Sequence, residues 1–514
     1  MHKNTQRRRP LAGGVGLTLT AMLLAGCAGG TSSESSASAE TDPEGTISVG
    51  VRFLQNSWDP SQMPGATIVP IYQLVYDNLI GLDADLNLVP GLAEEWDSAD
   101  GGTTWDLTLR QDTQFNDGTA FGAEDVKATL EYYAGEGSNT RADLAEMSDV
   151  EVVDDHHLRI TLTGANVGFP EVLAGRAGLI LSSETVESGD FASPVGTGEY
   201  LVENDVEGVQ VDFVPNPDHW NPETVNVAGL TLRWIEDPVA MANAIRSQEI
   251  DMAVLEPSQA DAVEAAGLST YEVRGAQLVG ISLNPDLAPE LADPQVRMAL
   301  AMAIDRDGIV NGLAFGRGAE ANQFIAPERF GFNSALDEIP YDIEGARKLL
   351  AEAGYPEGFS YTMAAQANNR SYAEAIQASW AEIGVDVELT FPPGAGVAEA
   401  TWTNPTIPIA TQNLVPDIDA TPFLWRHLST DTVRNPGSVE VPGLMDLIQE
   451  AQVTADEGER EQILQETGEV TRETIPAYIP VMWRNYTVAY SEDLVGVEEW
   501  QAGYPILDGV GVKK

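Results

Sequence analysis

Cysteine is nearly missing from this chain: Cys27 is the single one in 514 residues. One thiol forms no internal disulfide, so burial of a core has to hold the fold. Positive charge is scarce too, with 27 Lys and Arg against 80 Asp and Glu and a formal net charge of −53. Such acidity argues against nucleic acid and against docking of the body on anionic lipid. Histidine is sparse, and beyond residue 26 there are only His156, His157, His219 and His427. No His-Glu-x-x-His and no Cys-x-x-Cys occurs. Gly196-Thr197-Gly198 lacks both the Lys of a phosphate-binding loop and the third Gly of a dinucleotide fingerprint, so it reads as a turn between strands. His156-His157 follows two aspartates and reads as a solvated hairpin turn. No carboxylate pair stands out as an acid/base couple, so no enzyme, cofactor or resident metal is expected. The alternative, a secreted acidic hydrolase, needs an activated nucleophile or a raised-pKa carboxylate.

Long apolar runs are also few. The longest uncharged one, Leu11 to Gly26, falls short of the roughly 20 residues that span a bilayer. It follows Lys3, Arg7, Arg8 and Arg9 and ends in Leu24-Ala25-Gly26-Cys27. A basic segment, a short apolar core and small residues describe a secretory signal. The stretch resembles a bacterial lipoprotein signal, which implies cleavage before Cys27 and lipidation of that residue. Losing residues 1–26 removes four positive charges and no acid, which takes the net charge from −53 to −57. The expected location is the outer face of the cell membrane, held by acyl chains alone.

Apart from Cys27 and Pro43, residues 27–45 are Ala, Gly, Ser, Thr, Glu and Asp with no apolar cluster, a flexible tether. Thr46 to Phe53 alternates as a strand. Ile68, Ile71, Val75 and Leu79 recur at helical spacing. Trp105 to Arg110 predicts another strand, and Val150–Val153 with Leu158–Leu162 a strand pair. Asp237-Pro238 opens a helix, with Asp as cap and Pro at the first position. Asp293-Pro294 opens a longer one, expected to run to Phe315 on the stripe Val296, Leu300, Ala303 and Ile304. Tyr341 to Gly354 predicts a further helix stopped by Gly354. There are no internal repeats, and alternating strands and helices predict mixed α/β domains.

Four short elements stand in order: Pro90 to Trp96, Trp105 to Arg110, Phe115 to Gly118, and Ala123 to Val126. They resemble the "P-x-LA-x-x-W", "F-x-LR", "F-x-DG" and "A-x-DV" of the peptide- and nickel-binding family of ABC-transporter extracellular solute-binding proteins. Pro194 to Tyr200 resembles "P-x-GTGPY", with Glu199 where proline is usual. Asn216 to Trp220 resembles "N-x-x-YW", with His219 at the tyrosine position, and Gln248 to Asp251 resembles "GEID". Asn284 to Arg306, Tyr341 to Gly354 and Trp380 to Val385 carry further family patterns. The likeness spans about residues 46 to 500.

That resemblance implies an α/β, two-lobed periplasmic-binding-protein-like fold (type II, cluster C) with an extra subdomain in the first lobe. The implied layout is 1–26 signal peptide, 27–45 tether, 46–75 first lobe, 76–192 extra subdomain, 193–280 first lobe again, 281–487 second lobe and 488–514 first lobe. It further implies a monomeric receptor that captures peptides between its lobes and hands them to an ABC permease and ATPase. The family's first pocket loop follows "LDP", here Trp58-Asp59-Pro60, which makes Ser61, Gln62, Met63 and Pro64 candidates; Met63 reads equally well as core. In peptide-binding relatives an Asp shortly before "P-x-x-FL" meets the ligand ammonium. Here Pro422 directly precedes Phe423-Leu424, so Asp417 is the first choice and Asp419 the second, either being alternatively a loop acid or turn cap. Asn413 lies in the same stretch. Trp402, Trp425, Trp483 and Tyr486 are aromatic candidates that suit sugar faces as well as apolar side chains, so oligosaccharide is an alternative ligand. Nickel is a weaker one, because His427 is the one histidine near this region.

Overall fold

The computed structural model describes residues 41–63, 66–501 and 505–514. Cys27, the signal segment, most of the tether, and Pro64 lie outside the described residues. Alternation decides how the first strand sits. In Thr46–Val51 the side chains of Ile47, Val49 and Val51 are buried, and the strand lies parallel to Gly229–Trp234 on one side and Met252–Leu255 on the other. Among the described residues it belongs to a mixed sheet of eleven strands. The order runs Val385–Thr390, Phe359–Ala364, Ile409–Leu414, Ser269–Leu283, Tyr478–Tyr490, Met252–Leu255, Thr46–Val51, Gly229–Trp234, Gln210–Pro215, Tyr200–Val206. Gly318–Glu320 pairs with Tyr478–Tyr490 off this path. A separate antiparallel sheet is ordered Ala93–Asp97, Thr104–Leu109, His157–Leu162, Met147–Asp154, and His156 and Asp155 make its hairpin turn.

The antiparallel strands Ser269–Leu283 and Tyr478–Tyr490 are the longest in the sheet and pass from one core to another. Tyr271, Val273, Ala276 and Val488 pack with Ile47, Val49 and the separate sheet's Leu107 and Ile160. Val279, Ile281, Leu283, Ile479 and Val481 pack instead with Val296, Leu300 and Trp380. Leu278, Tyr478 and Trp483 join Phe423, Leu424 and Leu464. The changeover coincides with a register shift between Val273 and Gln277. Gly275 sits inside it at φ 58°, and an added Cβ would meet the Ala326 Cβ at 2.7 Å. A side chain is excluded there on both counts.

Local patterns account for most of the helices. Asp237, Asp293 and Asp342 each cap a helix through a side-chain oxygen, at Pro238–Arg246, Pro294–Met302 and Ile343–Glu352. Two expectations need correction. The helix from Asp293 ends at Met302, and a second one, Arg306–Gly312, begins under its own cap Asp305. Arg306 is the reason for the break: its guanidinium is buried and donates to the carbonyls of Ala301 (2.8 Å), Ala321 (3.2 Å) and Pro480 (2.8 Å). These acceptors tie the corner to the sheet. The helix expected through Ile68 to Leu79 stops at Gln73. The Val75 carbonyl accepts from Gly198 N–H and the Leu74 carbonyl from Tyr200 N–H, so Val75 and Leu79 are buried in a non-helical segment.

Candidate ligand-binding site

The stretch after strand Ile409–Leu414 leads into helix Ala420–Leu428. Asp419 is the N-cap of that helix. Its Oδ1 accepts from Thr421 N–H and Thr421 Oγ1–H, both at 2.6 Å, and its Oδ2 pairs with Arg460. Both oxygens are engaged, so the capping role is the one the geometry supports. Asp417 is different. Arg426, on the same helix, donates to its Oδ1 at 3.3 Å and stands 2.9 Å from its Oδ2, which forms no hydrogen bond. Burial raises the Asp417 pKa, Arg426 offsets this, and the charge of Asp143 adds to the rise. A quarter of its side-chain surface, 26%, stays open all the same.

Asp417 has company from the other core. Asp143 follows helix Ala123–Tyr133 and receives a two-pronged bond from Arg176, at 2.5 and 3.1 Å. Arg426 reaches toward Asp143 as well, at 3.9 Å. On the far side, the Arg434 guanidinium lies over the Trp402 ring, 4.5 Å from its centre. Trp402 Nε1–H donates to the Tyr478 hydroxyl at 3.1 Å, and that hydroxyl donates to the Arg434 carbonyl. His427 packs on Phe423 and Tyr478, where burial first, then Arg434 and Arg426, hold its pKa well below the usual value. Three guanidiniums thus meet two carboxylates. Arg434 forms no ion pair among the described residues, and burial lowers its pKa. Such a group is a strong receptor for a carboxylate.

A second polar group lies where the long strands change cores. Asn413 Nδ2–H donates to Gln366 Oε1 at 3.0 Å, and Asn413 Oδ1 accepts from Asn369 at 3.0 Å. Arg484 donates to Asn369 Oδ1 at 2.9 Å and lies over the Tyr372 ring at 5.2 Å. Tyr486 OH donates to Gln277 at 2.9 Å, and the charges of Arg484, Glu256 and Arg52 bear on it while burial raises its pKa. Trp483 is buried in the core with its Nε1–H unbonded.

The structure therefore gathers Asp417 and Trp402 in one cluster and Asn413 and Tyr486 in another. Others stand apart. Met63 is fully buried in the core beside Trp58 and Tyr76. Gln62 is exposed and binds Ser61 Oγ (2.9 Å), with its carbonyl taking Asn139 at 3.0 Å. Trp425 is 46% exposed. Arg426, Arg434, Arg176 and Arg484 escaped the sequence reading. Their signal was rarity: in so acidic a chain each basic residue needs a reason. Among the described residues no group of His, Cys, Asp or Glu has metal-holding spacing, and no helix is long and apolar enough to cross a membrane.

The two cores also meet at a third point. Val167 N–H donates to the Gln452 carbonyl at 2.9 Å, and Gln452 donates to Glu146 at 2.5 Å. Beside them Glu171 has one oxygen without a hydrogen bond. Burial, then the charge of Asp419, raises its pKa to about 7, with Arg460 opposing.

With this geometry in place, comparison with known proteins decides the family. The model of the bacterial extracellular solute-binding proteins, family 5 Middle, matches residues 87–435. The chain belongs to this family. The glutathione-binding protein GsiB of Salmonella typhimurium is 30% identical over 67% of this chain and 68% of that one. Di/tripeptide-binding protein 3 of Pseudomonas aeruginosa is 29% identical over 59% of this chain, and the match spans 63% of that relative's length. Among solved structures, the periplasmic binding protein DppA from Helicobacter pylori in complex with the peptide STSA matches with a TM-score of 0.82 at 22% identity, covering 92% of this chain and 98% of that one. The binding protein AgaA with agropinic acid, from A. tumefaciens R10, matches with a TM-score of 0.81 at 22% identity over 91% and 99%. The family 5 member thus has the two-lobed periplasmic-binding-protein fold, with the eleven-stranded sheet as its frame.

Proposed function

We propose that this chain is the solute-capturing receptor of an ABC importer, that it takes short peptides between its lobes, and that a lipid on Cys27 holds it to the outer face of the cell membrane. In this reading residues 46–75, 193–280 and 488–514 form the first lobe, 76–192 the extra subdomain and 281–487 the second lobe. One observation carries the peptide assignment. Asp417 Oδ2 makes no hydrogen bond, only the ion pair to Arg426, and the Arg434 guanidinium nearby forms no ion pair among the described residues. A short peptide brings the complement of both, an ammonium and a carboxylate. The relatives named for di/tripeptides and for glutathione support the same class. The sugar alternative has less behind it: Arg434 occupies a face of Trp402, Trp483 is buried and Trp425 lies outside the cluster.

A second reading has one observation of its own. Three guanidiniums against two carboxylates leave the cluster positive, which suits an acid with no free ammonium. Calorimetric titration of ligand-free protein separates the readings, with a dipeptide, its N-acetyl form, its C-terminal amide and a maltooligosaccharide. Tight binding of the free peptide, weakened by either block, supports the peptide receptor. Insensitivity to N-acetylation favours the acid reading, and binding of the sugar alone discards both. Membrane fractionation of wild type and Cys27→Ser tests the anchor: the variant should appear in the soluble fraction.

A further inference from the structure

Away from the Asp417 cluster, a cavity of about 280 Å³ opens between strand Thr46–Val51, the hairpin Ile80–Leu82 with Leu88–Pro90, and the segment 505–508. Asp77, Glu199 and Asp508 line it together with His219, and no Lys or Arg does. Its remaining wall is largely hydrocarbon, with Val51, Leu232 and Leu507 among the contributors. None of these residues belongs to the site described above.

His219 is the informative member. It is 7% exposed, and Nδ1 donates to the Asn221 carbonyl at 3.0 Å, which fixes the ring. Nε2 has no hydrogen bond, since Asp77 Oδ2 stands 3.7 Å away, beyond hydrogen-bonding reach, and already accepts from Trp220 at 2.9 Å. A buried ring nitrogen with no hydrogen bond and only a long ion pair to Asp77 faces a void walled by three acids, which leaves room there for a further group. Glu199, 6% exposed, is held at a pKa of about 8 by burial and then by the charge of Asp508. Converging desolvated acids repel one another, and a positive ligand relieves that repulsion. Two of the positions where the chain departs from its family patterns, Glu199 for proline and His219 for tyrosine, contribute to this one cavity.

We propose that this cavity is a second ligand site, for a small aliphatic ammonium whose charged head meets Glu199, Asp77 and Asp508 and whose hydrocarbon part lies on Val51, Leu232 and Leu507. The volume equals about nine waters, enough for roughly six to eight non-hydrogen atoms. A metal ion is the poorer fit, because the four groups do not have metal-holding spacing. The test compares butylamine, 1,4-diaminobutane, uncharged 1-butanol and Zn²⁺ at fixed ionic strength, by thermal shift and calorimetry on wild type, Glu199→Gln, His219→Tyr, Asp417→Asn and Arg434→Gln. The amines should raise the melting temperature at millimolar concentration and butanol should not. Glu199→Gln and His219→Tyr should weaken amine binding tenfold or more, while Asp417→Asn and Arg434→Gln should leave it unchanged. Equal effects of butanol and butylamine on wild type would overturn the assignment. So would no amine binding, stabilisation by Zn²⁺ alone, or loss of amine binding in Asp417→Asn.

Discussion

The guanidinium of Arg434 rests 4.5 Å from the centre of the Trp402 ring, while Asp417, whose charge bears on it, is held by Arg426 instead. Stacking on the indole orients the fork without neutralising it. Arg434 is thus placed to take a carboxylate from a ligand. Arg434→Gln should weaken binding of free-acid peptides by about 1.5–3 kcal/mol, the range for a hydrogen bond to a charged group. C-amidated peptides should lose little. Equal losses for both forms would move the carboxylate contact elsewhere.

Asp417 tests the other end of the ligand. In Asp417→Asn the shape is kept and the charge removed, so peptides with a free ammonium should bind more than tenfold weaker, over about 1.4 kcal/mol. N-acetyl peptides should be unaffected. Unchanged affinity for both would discard the ammonium contact, since Asp419 already uses both oxygens on Thr421 and Arg460.

How far the sequence could be read depended on the range of each interaction. Caps are local, so Asp237 and Asp293 were legible from a side chain and the next three residues. The strands Ser269–Leu283 and Tyr478–Tyr490 were not, because both faces are buried along much of their length and no alternation marks them. The broken helix after Met302 depends on Arg306 reaching Pro480, a contact no local pattern announces. In the site, Asp417 was reached through a family motif. Arg434 was missed because its significance lies in Trp402 and Asp417, which only the fold brings beside it.

Arg306 should prove structural. Its donors satisfy the Ala301, Ala321 and Pro480 carbonyls inside the core, and burial lowers its pKa only to about 10, so it stays charged at neutral pH. Lysine keeps the charge but cannot span the three acceptors. Arg306→Lys should therefore lower the unfolding free energy by about 2–5 kcal/mol, the cost of leaving one or two buried carbonyls unpaired. Urea denaturation measures it. A loss under about 1 kcal/mol would mean that water or a shifted backbone replaces the missing donors.

Glu171 makes stability depend on pH. It sits on helix Phe169–Ala174, packed in the first core, opposite Asp419, which caps a helix of the other. Burial and Asp419 raise its folded pKa to about 7, from 4.5. The folded state then binds an extra proton between these values, so stability falls as pH rises from about 4.5 and the loss is complete above about 7. The shift corresponds to a loss of up to about 3 kcal/mol. Glu171→Gln removes the ionisation, so its melting temperature should match wild type near pH 4 and exceed it near pH 8. The substitution leaves the Arg460–Asp419 pair itself untouched, so the difference reports on Glu171. Parallel melting curves across the whole range would show that Glu171 is solvated in the folded protein.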